Sequence, residues 1–159
     1  MIGARIVRSR DDAMRRHARL RAIFSLILLV ISMNVSALSP HPVKSDESEY
    51  RVILTLATGS VEKHLGKPAT LDVRQMQTLD DWAFLRAQMT APGGKPLSYE
   101  GTEYADSAVV GGVSSTYVAL LKRDRGVWSV VVDRVGPTDV IWETWSKDYG
   151  APEALFESP

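Results

Sequence analysis

No cysteine occurs in the 159 residues, which removes disulfide scaffolds, Cys-ligated zinc, thiol catalysis and lipid attachment through Cys. Histidine is nearly as scarce, at three. His41 and His64 stand alone downstream of the basic N-terminal stretch. Neither has a second His or a carboxylate at helical ligand spacing, so no transition-metal site is expected. Glycine and proline number only 11 and 8, too few for a fibrous or low-complexity chain. The glycine pairs 93–94 and 111–112 lack the G-K-[ST] or G-x-G-x-x-G context of phosphate loops. Asp80-Asp81 lacks the D-x-[DN]-x-[DN]-G calcium pattern and reads as a turn. No cofactor is implied.

An excess of one charge is also missing overall, with 19 basic and 19 acidic side chains, but the balance conceals an asymmetry. Residues 1–37 carry seven Arg and two Asp, a net of +5; the remaining 122 residues keep 12 basic and 17 acidic side chains, a net of −5. A nucleic-acid binder needs a basic footprint on its folded part, so nucleic acid is not an expected partner.

The basic segment leads into Ala22 to Met33 (AIFSLILLVISM) and then Val35-Ser36-Ala37, the three-part pattern of a secretory signal peptide. At about 1.5 Å per residue such a run spans roughly 18 Å, short of a hydrocarbon core of about 30 Å. The expected organisation is a signal peptide over 1–37, an extended lead-in over 38–45 and one α+β domain over 46–159. The expected location is periplasmic or secreted. The alternative is an inner-membrane anchor, with membrane contact only through an uncleaved signal segment.

Tyr50, Ile53, Leu54, Ala57, Val61 and Leu65 recur at helical spacing, and Gly66 with Pro68 form a stop, which predicts a helix from about 47 to 65. Asp46 and Glu49 are spaced as a capping-box-like pair, and Gly59 suggests close approach to a packed sheet. Thr70 to Gln77 and Trp82 to Met89 read as a hairpin, and a further strand is expected near Ser98 to Tyr104. Ser115 to Lys122 and Val127 to Val135 flank Asp124-Arg125-Gly126, read as a three-residue loop with a bulge. That register sets Lys122 opposite Trp128, Leu120 opposite Val130 and Val118 opposite Val132, giving one apolar face packed on Ile53, Leu54, Ala57 and Val61. Thr138 to Lys147 predicts a short C-terminal helix. The fold class is therefore α+β: an amphipathic N-terminal helix on an antiparallel four-to-five-stranded meander, closed by a short helix.

Chemistry-bearing patterns are few. Ser60-Val61-Glu62-Lys63 matches S-x-x-K, but its companion S-D-N and K-T-G motifs are absent. Ser60 and His64 share a helix face at i, i+4, yet the spacing places no carboxylate to orient the His. No catalytic residue is expected, and the chain reads as a non-enzyme. Aromatics are the remaining feature. Trp142, Trp145 and Tyr149 fall within about 60° of one another around a helix at 100° per residue, a stripe that suits a core as well as a ligand platform. They are the candidate binding residues, for an envelope protein or a glycan.

The helix Tyr50-Arg51-Val52-Ile53-Leu54, the strand Asp81-Trp82-Ala83-Phe84, the hairpin Ala119-Leu120-Leu121-Lys122-Arg123 to Trp128, and Gly136-Pro137-Thr138-Asp139-Val140 together resemble a group of small exported bacterial proteins of unknown function. The layout is similar to cystatin-like and NTF2-like α+β folds. No activity carries over from that group; the lack of catalytic motifs beside the aromatic candidates favours a small exported binding or accessory protein. The alternative is an NTF2-like ligand carrier or enzyme with a cone cavity, in which a buried Asp such as Asp133 acts as base.

Overall fold

The computed structural model describes residues 39–157; the segment 1–37, expected as a signal peptide, lies outside the described residues. The chain is α+β with an antiparallel sheet. In order come β1 (His41–Pro42), α1 (Ser48–Leu65), β2 (Thr70–Leu79), β3 (Trp82–Ala91), β4 (Lys95–Pro96), α2 (Ala105–Val109), β5 (Thr116–Asp124) and β6 (Val127–Val135). A 3-10 turn (Ile141–Thr144), α3 (Trp145–Tyr149) and a second 3-10 turn (Glu153–Phe156) follow. The sheet order is β1-β2-β3-β5-β6, with β4 beside β3. No helix of the described residues is long and apolar enough to cross a membrane.

Helix α1 buries Ile53, Ala57, Val61 and Leu65, one residue per turn at i, i+4. Each large one contributes about 1.5–3 kcal/mol. Gly66 ends the helix in the left-handed region at φ 65°, its N–H bonded to Glu62 O at 2.8 Å. The expected capping box does not form. The N-cap is Glu47, and Glu49 instead accepts from Arg123 Nη1 (3.0 Å) and Trp128 Nε1 (3.2 Å). Gly59 is exposed and would have nothing within 4 Å of a Cβ, so it is not a close-approach position.

The β5–β6 hairpin differs from the expected register by one residue. Asp124 pairs with Val127, so the loop is Arg125-Gly126 alone. Both residues have positive φ, 49° and 82°, which is the two-residue primed turn that suits the twist of paired strands. Arg123 then faces Trp128, Leu121 faces Val130 and Leu120 faces Val132, with Val131 left over as a bulge. The bulge inverts the alternation along β6. Trp128 and Val130 point to the α1 side before it, and Asp133 and Val135 point there after it.

Both faces of the sheet are covered, which overturns the expectation of one apolar face. Tyr117, Ala119 and Leu121 pack with Ala83, Leu85 and α1. Val118, Leu120 and Val132 pack on the other side with Phe84, Trp145, Ala151 and Leu155 from the C-terminal turns. A sheet buried on both faces needs continuous apolar runs, and Tyr117 to Leu121 is one. The segment expected as a strand near Ser98 to Tyr104 is instead a series of turns leading to α2. The expected helix over 138–147 is a 3-10 turn followed by one α-turn shifted toward the C-terminus.

Candidate functional site

Two polar sites stand out, one on each face of the sheet. On the α1 face the β6 bulge aims Asp133 at the helix, where Ser60 and His64 lie one turn apart. Asp133 Oδ2 accepts from Ser60 Oγ at 2.5 Å and from Tyr117 Oη at 2.6 Å. His64 Nε2 meets Oδ1 at 3.0 Å. Asp133 and Tyr117 are buried, while the His64 side chain is 39% exposed at the rim. Burial alone pushes the Asp133 pKa up. The hydrogen bonds from Ser60, Tyr117 and His64, with the charge of a protonated His64, overcome that and hold it below the usual carboxylate value. Burial and the bond to Asp133 push the Tyr117 phenol up, so it stays protonated and donates. Tyr99, which donates to Ser114 O, is pushed up to about 12 by burial and by the neighbouring Tyr104.

An ionised Asp133 can only accept, so the hydrogen bond requires the proton on His64 Nε2. Sequence reasoning placed Ser60 and His64 on one face but missed the carboxylate, which comes from 69 residues further on. Ser60 spends its proton on Asp133, and Lys63 points to solvent, so the S-x-x-K match is not a Ser–Lys pair.

On the opposite face the register sets Gln75, Arg86, Val118 and Arg134 in one cross-strand row. Arg86 is half-buried on β3, and its Nε is shielded from water with no hydrogen-bond partner. Among the described residues the ion pairs join His64 to Asp133, Arg74 to Asp72, and Arg123 to Glu49 and Asp81. Among these residues neither Arg86 nor Arg134 has a carboxylate partner; Arg134 Nη1 turns to the carbonyl of Asp133. Arg86 lines an open cleft of about 260 Å³ with Thr116 and a wall of Pro137, Val140 and Trp142, the exposed Asp139 at its rim, and it also borders a second cleft of about 530 Å³ beside Gln75 and Gln77. Asp139 accepts from the Val140 N–H at 2.7 Å. The wall is held by Gly136, at φ 66°, where the chain crosses so close to the 113–114 segment that a Cβ would lie 1.9 Å from Val113 Cγ1. Ser114 Oγ donates to Pro137 O at 2.6 Å and completes the clamp.

Of the aromatic candidates, Trp145 is 3% exposed, its ring set edge-on against Phe84, Tyr149 and Phe156. Trp142 is half-buried, with its ring 5.9 Å from Phe84, and also forms the cleft wall. Tyr149 is 37% exposed. His41 lies exposed on β1, and Asp80-Asp81 form the β2–β3 corner, where Asp81 accepts from Arg123 Nε at 3.1 Å. No group of three or more metal-ligating side chains gathers among the described residues. Comparison of the chain with protein-family models, with curated proteins and with solved structures finds no match.

Proposed function

We propose that the chain is a small exported binding or accessory module without catalytic activity, periplasmic or secreted once the signal peptide is removed. Its partner is an envelope protein or a glycan, met at the cleft beside Trp142, with the exposed Tyr149 on the α-turn that follows. The observation that carries this reading is Arg86. A charged donor shielded from water and left without an acceptor costs about 1–3 kcal/mol or more, and Arg86, with Nε unpaired and no carboxylate partner among the described residues, lines the cleft. Asp133 is the opposite case, since its oxygens already accept three hydrogen bonds inside the fold.

The second reading, an NTF2-like carrier or enzyme using Asp133, has one observation in its favour: Asp133 and His64 meet at 3.0 Å. Against it stands the depressed pKa, because a base works best with a pKa near the working pH. A cystatin-like or NTF2-like placement of the fold rests on the layout of one long helix followed by an antiparallel meander.

The test is an NMR titration of the Trp142 indole N–H with short peptides and oligosaccharides, run beside hydrolysis and isomerisation assays. Binding predicts shifts at Trp142 that Arg86→Gln weakens, with turnover at background. Turnover that disappears in His64→Gln would overturn the reading in favour of the second.

A further inference from the structure

We infer that the Arg86 cleft takes a carboxylate carried on an apolar or aromatic body. This rests on the binding reading above and narrows it to one ligand chemistry. The Arg guanidinium is a planar fork that matches the two oxygens of a carboxylate, and Arg86 lines the cleft without a carboxylate partner among the described residues. Arg134 lies two strands away in the same row, about 10 Å off at ordinary strand spacing. It too lacks a carboxylate partner among the described residues, so the row is cationic within a stretch, residues 38–159, whose net charge is −5.

The charge of the ligand is set by the rim. Asp139 stands at the cleft edge, and its carboxylate repels a dianion such as a phosphate monoester more than a monoanion. The body of the ligand is set by the wall, since Pro137, Val140 and Trp142 present apolar and aromatic surface beside the guanidinium. A volume of about 260 Å³ falls below the roughly 300–1,000 Å³ of pockets for drug-sized ligands. It therefore suits a small organic acid, or the last residue of a peptide with its terminal carboxylate.

The experiment uses the full chain, 15N-labelled, and follows the Arg86 Nε–H and Trp142 indole resonances. The probes are 3-phenylpropionate, its neutral amide, a blocked tetrapeptide ending in phenylalanine carboxylate, and inorganic phosphate. The acid is expected to move both resonances and to bind about tenfold or more tightly than the amide. Arg86→Gln erases that difference. Asp139→Asn tightens the acid about two- to fivefold and leaves the amide alone; this variant carries the test should Arg86→Gln fail to fold. A peptide that binds more tightly than 3-phenylpropionate identifies a chain terminus as the source, and equal binding identifies a free acid. Acid and amide binding equally at Trp142 would overturn the carboxylate inference and leave the binding module standing. Phosphate displacing the acid at equal concentration would overturn it too. If none of these probes moves Trp142, and the peptides and oligosaccharides of the titration above do not either, both readings fall together.

Discussion

Replacing Tyr117 by Phe isolates one hydrogen bond of the Asp133 cluster without opening a cavity. The ring stays, in a position with 0% exposure, and only the hydroxyl that donates to Asp133 Oδ2 at 2.6 Å is lost. A hydrogen bond to a charged acceptor is worth about 1.5–3 kcal/mol. Asp133 retains Ser60 at 2.5 Å and His64 at 3.0 Å, which places the expected loss toward the lower end. That is still a large share of the 5–15 kcal/mol typical of a domain.

The pH dependence separates this cause from a packing defect. Asp133 has a folded pKa below its unfolded value of about 3.9, so its contribution is fully present above that value and fades as pH falls through the folded pKa. Tyr117→Phe removes one of the bonds that depress the folded pKa. The stability gap between wild type and variant should therefore be widest at pH 6–7 and shrink below about pH 4. Urea unfolding followed by tryptophan fluorescence, repeated from pH 7 down to pH 2.5, measures it. A gap that stays constant with pH, or a variant as stable as wild type at pH 7, would refute the view that Asp133 is anchored through Tyr117.

Leu120 is fully buried against Phe84 and the C-terminal turns, so Leu120→Ala is expected to cost about 2–5 kcal/mol in the same unfolding assay. Gly136→Ala combines a left-handed φ of 66° with a Cβ 1.9 Å from Val113 Cγ1. It should destabilise by more than the roughly 1 kcal/mol of a strained φ alone and should shift the Trp142 indole resonance, because the cleft wall begins at Pro137. Processing is checked by intact mass: the exported form should begin at Leu38, and a membrane-bound species that keeps residues 22–37 would favour the anchor.

Helix α1 was legible because its buried residues recur at one per turn and its stop is a Gly followed by a Pro. The β5 and β6 strands were legible as strands, but their pairing was not. Asp124-Arg125-Gly126 can close as a three-residue loop with Gly left-handed, or as a two-residue turn with Arg125 and Gly126 both left-handed. Only tertiary packing selects between them, since a left-handed Arg is disfavoured locally. The error carried through to the site. Strict alternation from Trp128 puts Asp133 on the side away from α1, and the bulge at Val131 puts it back. A single bulge leaves no periodic signal, so the partner of His64 stayed hidden although Ser60 and His64 were visible on one helical face.

Arg86 poses a different problem, because nothing in the sequence singled it out. It shares alternation with Trp82 and Phe84, which sets a charged side chain on an otherwise apolar face. An arginine there is ordinary if a carboxylate reaches it, and the sequence offers Asp72, Asp139 and Glu157 at plausible distances along the chain. The fold commits Asp72 to Arg74 at 2.8 Å and Asp139 to the Val140 N–H. It brings Glu157 in through its backbone carbonyl, which Gln75 and Gln77 hold at 3.2 and 3.1 Å. None of these three carboxylates pairs with Arg86. The same physics that closes the Asp133 cluster, in which every buried polar atom seeks a partner, leaves this guanidinium open. That asymmetry between two half-hidden charges, one saturated and one waiting, distinguishes a fastening from a binding site.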